Sequence, residues 1–112
     1  MNIQIFGKSK CFDTKKAERY FKERRIKFQS IDIMRYGMSR GEFTSVLAAV
    51  GFDALFNENA PGAEYVRYLA HDADKIEKLL DDPSLIRTPV VRNGRKATVG
   101  YCPDVWKQWE KE

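Results

Sequence analysis

The sequence predicts one α/β domain, residues 1–112, with the element order β-α-β, a block of helices, then β-β-α. Three observations carry this. Residues 1–33 hold two apolar runs of period two, separated by one amphipathic helical stretch. That is the spacing of a βαβ unit, whose two strands are parallel. Residues 39–82 show helix caps and helical periodicity throughout. Residues 85–112 hold two short β-type runs about an Asn-Gly pair, then a helix led by proline.

The first strand is Asn2–Phe6. Ile3 and Ile5 alternate with polar residues, Phe6 closes the run, and Gly7 breaks it. Lys8-Ser9-Lys10 form a polar loop, and Cys11 follows. From Phe12 to Arg25 the pattern turns helical. Ala17, Tyr20, Phe21 and Arg24 share one face, while Lys15, Lys16, Arg19, Lys22 and Glu23 lie elsewhere. Ile26–Ile33 alternates again and reads as the second strand. Gly37 marks a loop. Ser39 with Glu42 three residues on forms a capping box. The helix it starts sets Phe43, Val46, Leu47 and Val50 on one face, and Gly51 ends it.

Residues 52–61 read as irregular, with one turn at Asp53–Phe56. A short helix is expected over Ala63–Leu69. Another is expected over Asp74–Leu80, with Asp72 as its cap and Asp82-Pro83 as its stop. Strands Val90–Arg92 and Lys96–Val99 flank Asn93-Gly94 at a hairpin tip. Pro103 suits the first position of the last helix, whose apolar face is Val105, Trp106 and Trp109.

Cys11 therefore sits where a strand gives way to a helix. The first-turn N–H groups of a helix have no internal acceptor, and the macrodipole places partial positive charge there. A thiolate at that point is stabilised and becomes nucleophilic nearer neutral pH. Lys8, Lys10, Lys15 and Lys16 add positive charge within a few residues, and Asp13 opposes them. A cysteine at such a turn among lysines is not in the setting of a buried, inert core thiol.

Composition narrows the class. No apolar run approaches the ~18 residues of a membrane span, and the N-terminus lacks a signal-peptide layout. Two cysteines do not make a secreted disulfide framework, so a cytoplasmic location is expected. The net charge of +4 invites a nucleic-acid reading. The excess lies in residues 7–27, however, where Glu18 and Glu23 pair with Lys22 and Lys27 at i, i+4 spacing, the pattern of a solvated helix face. With no nucleic-acid-binding signature present, that reading is not favoured. His71, the single histidine, has no metal-site spacing to either cysteine.

The order and spacing of these elements resemble the thioredoxin fold. The helical block between the two halves narrows the resemblance to the arsenate reductase (ArsC) / Spx family, of the glutaredoxin-linked arsenate reductase type. The match is carried by Ile5-Phe6-Gly7 through Cys11 and by Thr14-Lys15-Lys16-Ala17. It continues with Thr88-Pro89-Val90-Val91, then Asn93-Gly94, and ends with Gly100-Tyr101 leading into the last helix. The resemblance implies a mixed four-stranded sheet with flanking helices and Cys11 as the catalytic nucleophile. It implies a cis Pro89 facing that cysteine, exposing the backbone of Thr88 to a substrate thiol. Gly100 and Tyr101 form the corner that in glutaredoxins receives a glutathione carboxylate on free N–H groups. Lys8, Lys10 and Arg87 are the candidates for stabilising a thiolate or an oxyanion.

Family arsenate reductases hold the oxyanion with arginines. At those positions this chain has Asn57 and Thr88, with Arg87 one residue before Thr88, and no arginine near Cys102-Pro103. An arsenate dianion needs several fixed donors, which counts against arsenate itself as substrate. The C-x-x-C switch of Spx-type regulators is absent, because Thr14 stands at its fourth position. A single active cysteine suits monothiol chemistry with glutathione as the second sulfur. Two readings follow. The first is a thiol-dependent oxidoreductase with no cofactor, acting on a small thiol or oxyanion with glutathione as co-substrate and glutaredoxin as partner. The second is a Spx-like regulator that contacts RNA polymerase or another protein without turnover. Cys102 is expected to be unbridged, partly buried beside Trp106 and less reactive than Cys11.

Overall fold

The computed structural model describes all residues, 1–112. Strand β1 (Ile3–Gly7) leads into helix α1 (Phe12–Glu23) and strand β2 (Phe28–Asp32). Five helices follow: α2 (Ile33–Tyr36), α3 (Arg40–Val50), α4 (Phe52–Leu55), α5 (Ala63–Arg67) and α6 (Asp72–Asp81). A 3-10 turn at Pro83–Leu85 precedes strands β3 (Val90–Asn93) and β4 (Lys96–Val99), and helix α7 (Pro103–Glu110) closes the fold. The sheet order is β2-β1-β3-β4. β1 pairs parallel with β2 and antiparallel with β3, and β3 pairs antiparallel with β4. The sheet is therefore mixed, as expected.

Central strand β1 is buried on both faces, so its side chains divide between two cores. Ile3 and Ile5, with Val91, join Ala17, Tyr20, Phe21, Trp106 and Trp109 under α1 and α7. Phe6 and Val90 point the other way, into a cluster with Ile33, Phe43, Val46, Leu55, Leu79 and Ile86 from the helical block. Each fully buried large apolar side chain contributes roughly 1.5–3 kcal/mol. Trp106 anchors the first core. Its ring meets Tyr20 and Phe21 at 5.1 and 5.2 Å, and its Nε1–H donates to the buried Thr98 hydroxyl at 2.9 Å.

Local chemistry moved several boundaries. β2 stops at Asp32, one residue short of Ile33, because the Asp32 carboxylate accepts the Met34 N–H at 3.0 Å and caps α2. The Ser39–Glu42 capping box forms in full. The turn expected at Asp53–Phe56 is present one residue earlier, as the helical turn Phe52–Leu55, and α5 ends at Arg67. Asp72 is not the cap of α6. His71 takes that position, and Asp72 and Asp74 lie in the first turn, where the helix dipole favours acids. At the hairpin, Asn93 pairs with Lys96, so the turn residues are Gly94-Arg95, with Gly94 at φ 62°. On α7, Val105 is exposed, and Cys102 packs against the first core with Trp106 and Trp109.

One loop pairing positions the site. Phe56 and Ile86 form an isolated antiparallel bridge. The Arg87 N–H donates to the Leu55 carbonyl at 2.7 Å, and the Asn57 N–H to the Leu85 carbonyl at 2.8 Å. The helical block thereby holds the segment that enters β3.

Candidate active site

Cys11 is the N-cap residue of α1, in an extended conformation with φ −92° and ψ 115°. A tight turn delivers it there: its N–H donates to the Lys8 carbonyl at 3.1 Å, and its own carbonyl accepts the Lys15 N–H at 3.3 Å. The sulfur is partly exposed. Across from it lies the Thr88-Pro89 peptide, which is cis. The Cys11 thiol donates to the Thr88 carbonyl at 3.5 Å.

The surroundings of Cys11 favour its ionised form. Partial burial opposes the anion. The polar groups of Thr14, Thr88 and Asp13 around the sulfur favour its charged form and outweigh it, and the thiol's pKa falls below its ordinary value. The Asp13 and Thr14 N–H groups belong to the first turn of α1. Thr14 is the residue sequence reasoning missed in this role. It is buried at the third position of α1, against Gly7 of β1. Its hydroxyl also accepts the Lys8 N–H at 3.4 Å. A threonine three residues after an N-cap cysteine was the available signal.

A cleft of about 310 Å³ opens beside this corner, lined by Lys8, Asp13, Asn57, Arg87, Thr88, Val99 and Gly100. Four of the candidate residues, Lys8, Arg87, Thr88 and Gly100, are thus brought together, and Asp13, Asn57 and Val99 join them. Lys8 is half-buried. Its ammonium donates to the Ile86 carbonyl at 2.8 Å and the Ser84 carbonyl at 3.3 Å. Burial lowers its pKa, against the pull of the negative charges of Cys11 and Asp82. Arg87 is exposed at the rim. The Gly100 N–H is not free for a carboxylate, because it donates to the Pro89 carbonyl at 2.8 Å.

Lys10 and Tyr101 do not line this cleft. Lys10 is exposed in the loop before Cys11. Tyr101 lines a separate groove between α1 and α7, with its ring edge against Trp106 and the Lys16 ammonium 5.6 Å from its centroid. Cys102 is free and caps α7, and its thiol donates to the Val99 carbonyl at 3.4 Å. Burial pushes its pKa up, the opposite direction from Cys11. No cluster of three or more metal-ligating side chains is present, and no helix is long and apolar enough to cross a membrane.

Comparison with known proteins agrees with this architecture. The chain superimposes on an arsenate reductase from Vibrio cholerae with a TM-score of 0.83, at 18% identity, over 96% of this chain and 97% of that one. It superimposes equally well, at 0.83, on a protein named YFFB, at 24% identity and the same coverage. These likenesses establish the thioredoxin-like fold. In sequence it is 25% identical, over 98% of its length and 94% of the relative's, to the global transcriptional regulator Spx 2 of Oceanobacillus iheyensis. The model of the ArsC family matches residues 6–109, nearly the whole chain, and this protein therefore belongs to the ArsC family.

Proposed function

We propose that this protein is a thiol-dependent oxidoreductase in which Cys11 is the nucleophile and glutathione supplies the second sulfur, with a glutaredoxin as the reducing partner. One observation carries the reading: the Cys11 sulfur, at the start of α1, lies 3.5 Å from the Thr88 carbonyl of the cis-proline loop, in surroundings that lower its pKa. The thiolate would attack a disulfide or thiol-reactive sulfur held in the adjoining cleft. With oxidised glutathione, the Cys11 sulfur bonds to one glutathionyl sulfur, the disulfide breaks, and the second glutathione leaves as a thiolate that takes a proton from water. Thr88 and Pro89 would position the incoming sulfur, and Arg87 would offer the cleft an exposed positive charge. The pinned N–H of Gly100 leaves that residue the role of an uncrowded wall.

Intact mass after incubation with oxidised glutathione tests this directly. The expected result is a gain of one glutathione, lost on Cys11→Ser and retained on Cys102→Ser. An unmodified wild type would overturn the reading.

A second reading, a regulator that binds a protein partner without turnover, is supported by the likeness to a transcriptional regulator over almost the full chain. Under that reading Cys11→Ser leaves partner capture intact. Recovery of an RNA polymerase subunit by wild type and mutant alike, without glutathione addition to either, would favour it.

A further inference from the structure

The side chains that line the cleft beside Cys11 divide into those already bonded within the protein and those open to a ligand. The Lys8 ammonium donates to the Ile86 and Ser84 carbonyls at 2.8 and 3.3 Å. The Asn57 side chain is used at both ends: its amide donates to the Ser84 carbonyl at 3.2 Å, and its oxygen accepts the Asn59 N–H at 3.2 Å. Two charged groups remain, one of each sign. Arg87 is exposed and takes part in none of the protein's ion pairs. The Asp13 side chain is about half exposed, and its one ion pair is loose, with the Lys16 nitrogen 3.9 Å from its oxygen. An exposed pair of that length contributes little and exchanges readily. The two charges come from either side of the sulfur in the chain. Arg87 directly precedes Thr88, whose carbonyl lies 3.5 Å from the sulfur, and Asp13 is two residues past Cys11. Gly100 keeps the cleft open between them, since even a Cβ there would meet nothing within 4 Å.

We propose that this cleft reads the zwitterionic head of an amino acid: Arg87 takes the carboxylate, Asp13 takes the ammonium, and the disulfides that Cys11 attacks are those of amino-acid thiols. An anionic ligand would gain Arg87 and be repelled by Asp13, and a cationic ligand would meet the reverse. A head with both charges satisfies both groups at no net charge. The planar guanidinium matches a carboxylate with two parallel N–H donors. A cleft of about 310 Å³ is at the small end for a ligand site, in keeping with an amino-acid head. The chemistry is thiol–disulfide exchange. The Cys11 thiolate bonds to one ligand sulfur, the ligand's S–S bond breaks, and the other half leaves as a thiolate that takes a proton from water. The inference rests on Cys11 being the nucleophile, and its test keeps the two claims apart.

The experiment follows mixed-disulfide formation on Cys11 by intact mass, with the site mapped, for cystine, cystine dimethyl ester, diacetylcystine and the neutral hydroxyethyl disulfide. Each rate is divided by that of the same probe with a free model thiol, which removes differences in the leaving sulfur. Comparing probes on one protein also cancels any change in the thiolate fraction of Cys11. Wild type is expected to favour cystine over hydroxyethyl disulfide on the order of threefold to tenfold, as two exposed ion pairs imply. Neither probe carries net charge, so the long-range field does not separate them. Arg87→Gln should slow cystine and diacetylcystine about twofold to fivefold without slowing the ester, whose carboxylate is blocked. Asp13→Asn should slow cystine and the ester by a similar factor without slowing diacetylcystine, whose amine is blocked. Oxidised glutathione, which carries the same head on its γ-glutamyl end, then tells the source. Slowing by both substitutions assigns the head to the tripeptide, and indifference to both assigns it to a cysteine-sized disulfide. Equal normalised rates for cystine and hydroxyethyl disulfide on wild type, a comparison that needs no variant, would overturn the proposal. So would substitutions that slow every probe alike. An absence of adduct with any disulfide would instead defeat the assignment of Cys11.

Discussion

The Cys11 sulfur lies 3.5 Å from the Thr88 carbonyl oxygen, seventy-seven residues further along the chain. The contact joins the start of α1 to the segment before β3, which neighbours β1 in the sheet. The register places Phe6, near the end of β1, opposite Val90, the first residue of β3. Once the sheet forms, the loop carrying Cys11 and the loop carrying Thr88 emerge at the same end of adjacent antiparallel strands.

The two cysteines should separate cleanly in reactivity. The polar groups around the sulfur hold the Cys11 pKa below its ordinary value, whereas burial holds that of Cys102 above it. At pH 7, mapped alkylation should modify Cys11 well before Cys102. Cys11 should also reach half its maximal rate below the ~8.5 of a free cysteine. The same shift affects stability. A thiol with a depressed folded-state pKa contributes stability that is fully present above its unfolded pKa and is lost as pH falls through the folded value. Wild type compared with Cys11→Ser should therefore gain unfolding free energy as pH rises towards ~8.5 and hold it above. A flat difference across that window would contradict the lowered pKa.

Gly7 and Thr14 make a second prediction. A Cβ on Gly7 would collide with the Thr14 Cγ2 and lie 2.7 Å from its hydroxyl oxygen. Thr14 is short and buried, so the start of α1 would have to move away from β1. Gly7→Ala should cost about 1–3 kcal/mol, the usual range for overpacking, and should slow Cys11 alkylation by disturbing its donors. Thr14→Val keeps the shape and removes the hydroxyl. It should cost about 1 kcal/mol in urea unfolding and raise the Cys11 midpoint. Equal alkylation profiles for Thr14→Val and wild type would remove Thr14 from the site.

Sequence pattern and structure agree where a signal is local. The Ser39–Glu42 box, the Gly51 stop, Pro103 at the start of α7 and Cys11 at the start of α1 all depend on residues within four positions of each other. The cis peptide at Pro89 was legible only through the family resemblance, since a strand-entry proline looks the same in isolation. Long-range commitments were not legible. Nothing near Lys8 tells that its ammonium is spent on carbonyls 76 and 78 residues away. Nor does the corner at Gly100 reveal that its N–H closes onto Pro89. Ile33 fits the strand period, and only the Asp32 side chain, which caps a helix instead, ends β2 before it.

Tyr20 should make stability fall at high pH. Its ring is buried, and its hydroxyl donates to a Glu110 carboxylate oxygen at 2.7 Å. Burial, that bond and the Glu110 charge push its pKa up to about 12, against the Arg24 guanidinium stacked 3.7 Å from the ring centroid. A group with a raised pKa contributes stability that is fully present below its unfolded value, ~10 for tyrosine, and is lost as pH rises through the folded value. Unfolding free energy should thus decline from pH ~10 towards the folded value. Tyr20→Phe should lower stability at pH 7 by about 1–3 kcal/mol, as befits a bond to a charged acceptor, and shrink that decline. An unchanged high-pH slope in Tyr20→Phe would show that another group causes it.

Arsenate should not compete for Cys11. A dianion beside the sulfur would need several cationic donors aimed at one point. Of the cations lining the cleft, Lys8 is turned to the carbonyls of Ser84 and Ile86, which leaves Arg87 at the rim. Asn57 and Thr88 stand where family arsenate reductases carry arginines, and the Asn57 amide is bonded to the Ser84 carbonyl. Asp13 adds a negative charge to the same wall. A single exposed arginine is worth little against the hydration of a dianion, because surface ion pairs typically contribute only ~0–1 kcal/mol. Arsenate at several times the concentration that saturates a family arsenate reductase should therefore leave the alkylation rate of Cys11 unchanged. It should also support no glutathione-dependent turnover with glutaredoxin present. Oxidised glutathione, by contrast, should block alkylation by occupying Cys11 covalently. Protection by arsenate but not by oxidised glutathione would reverse this assignment and make the oxyanion the substrate.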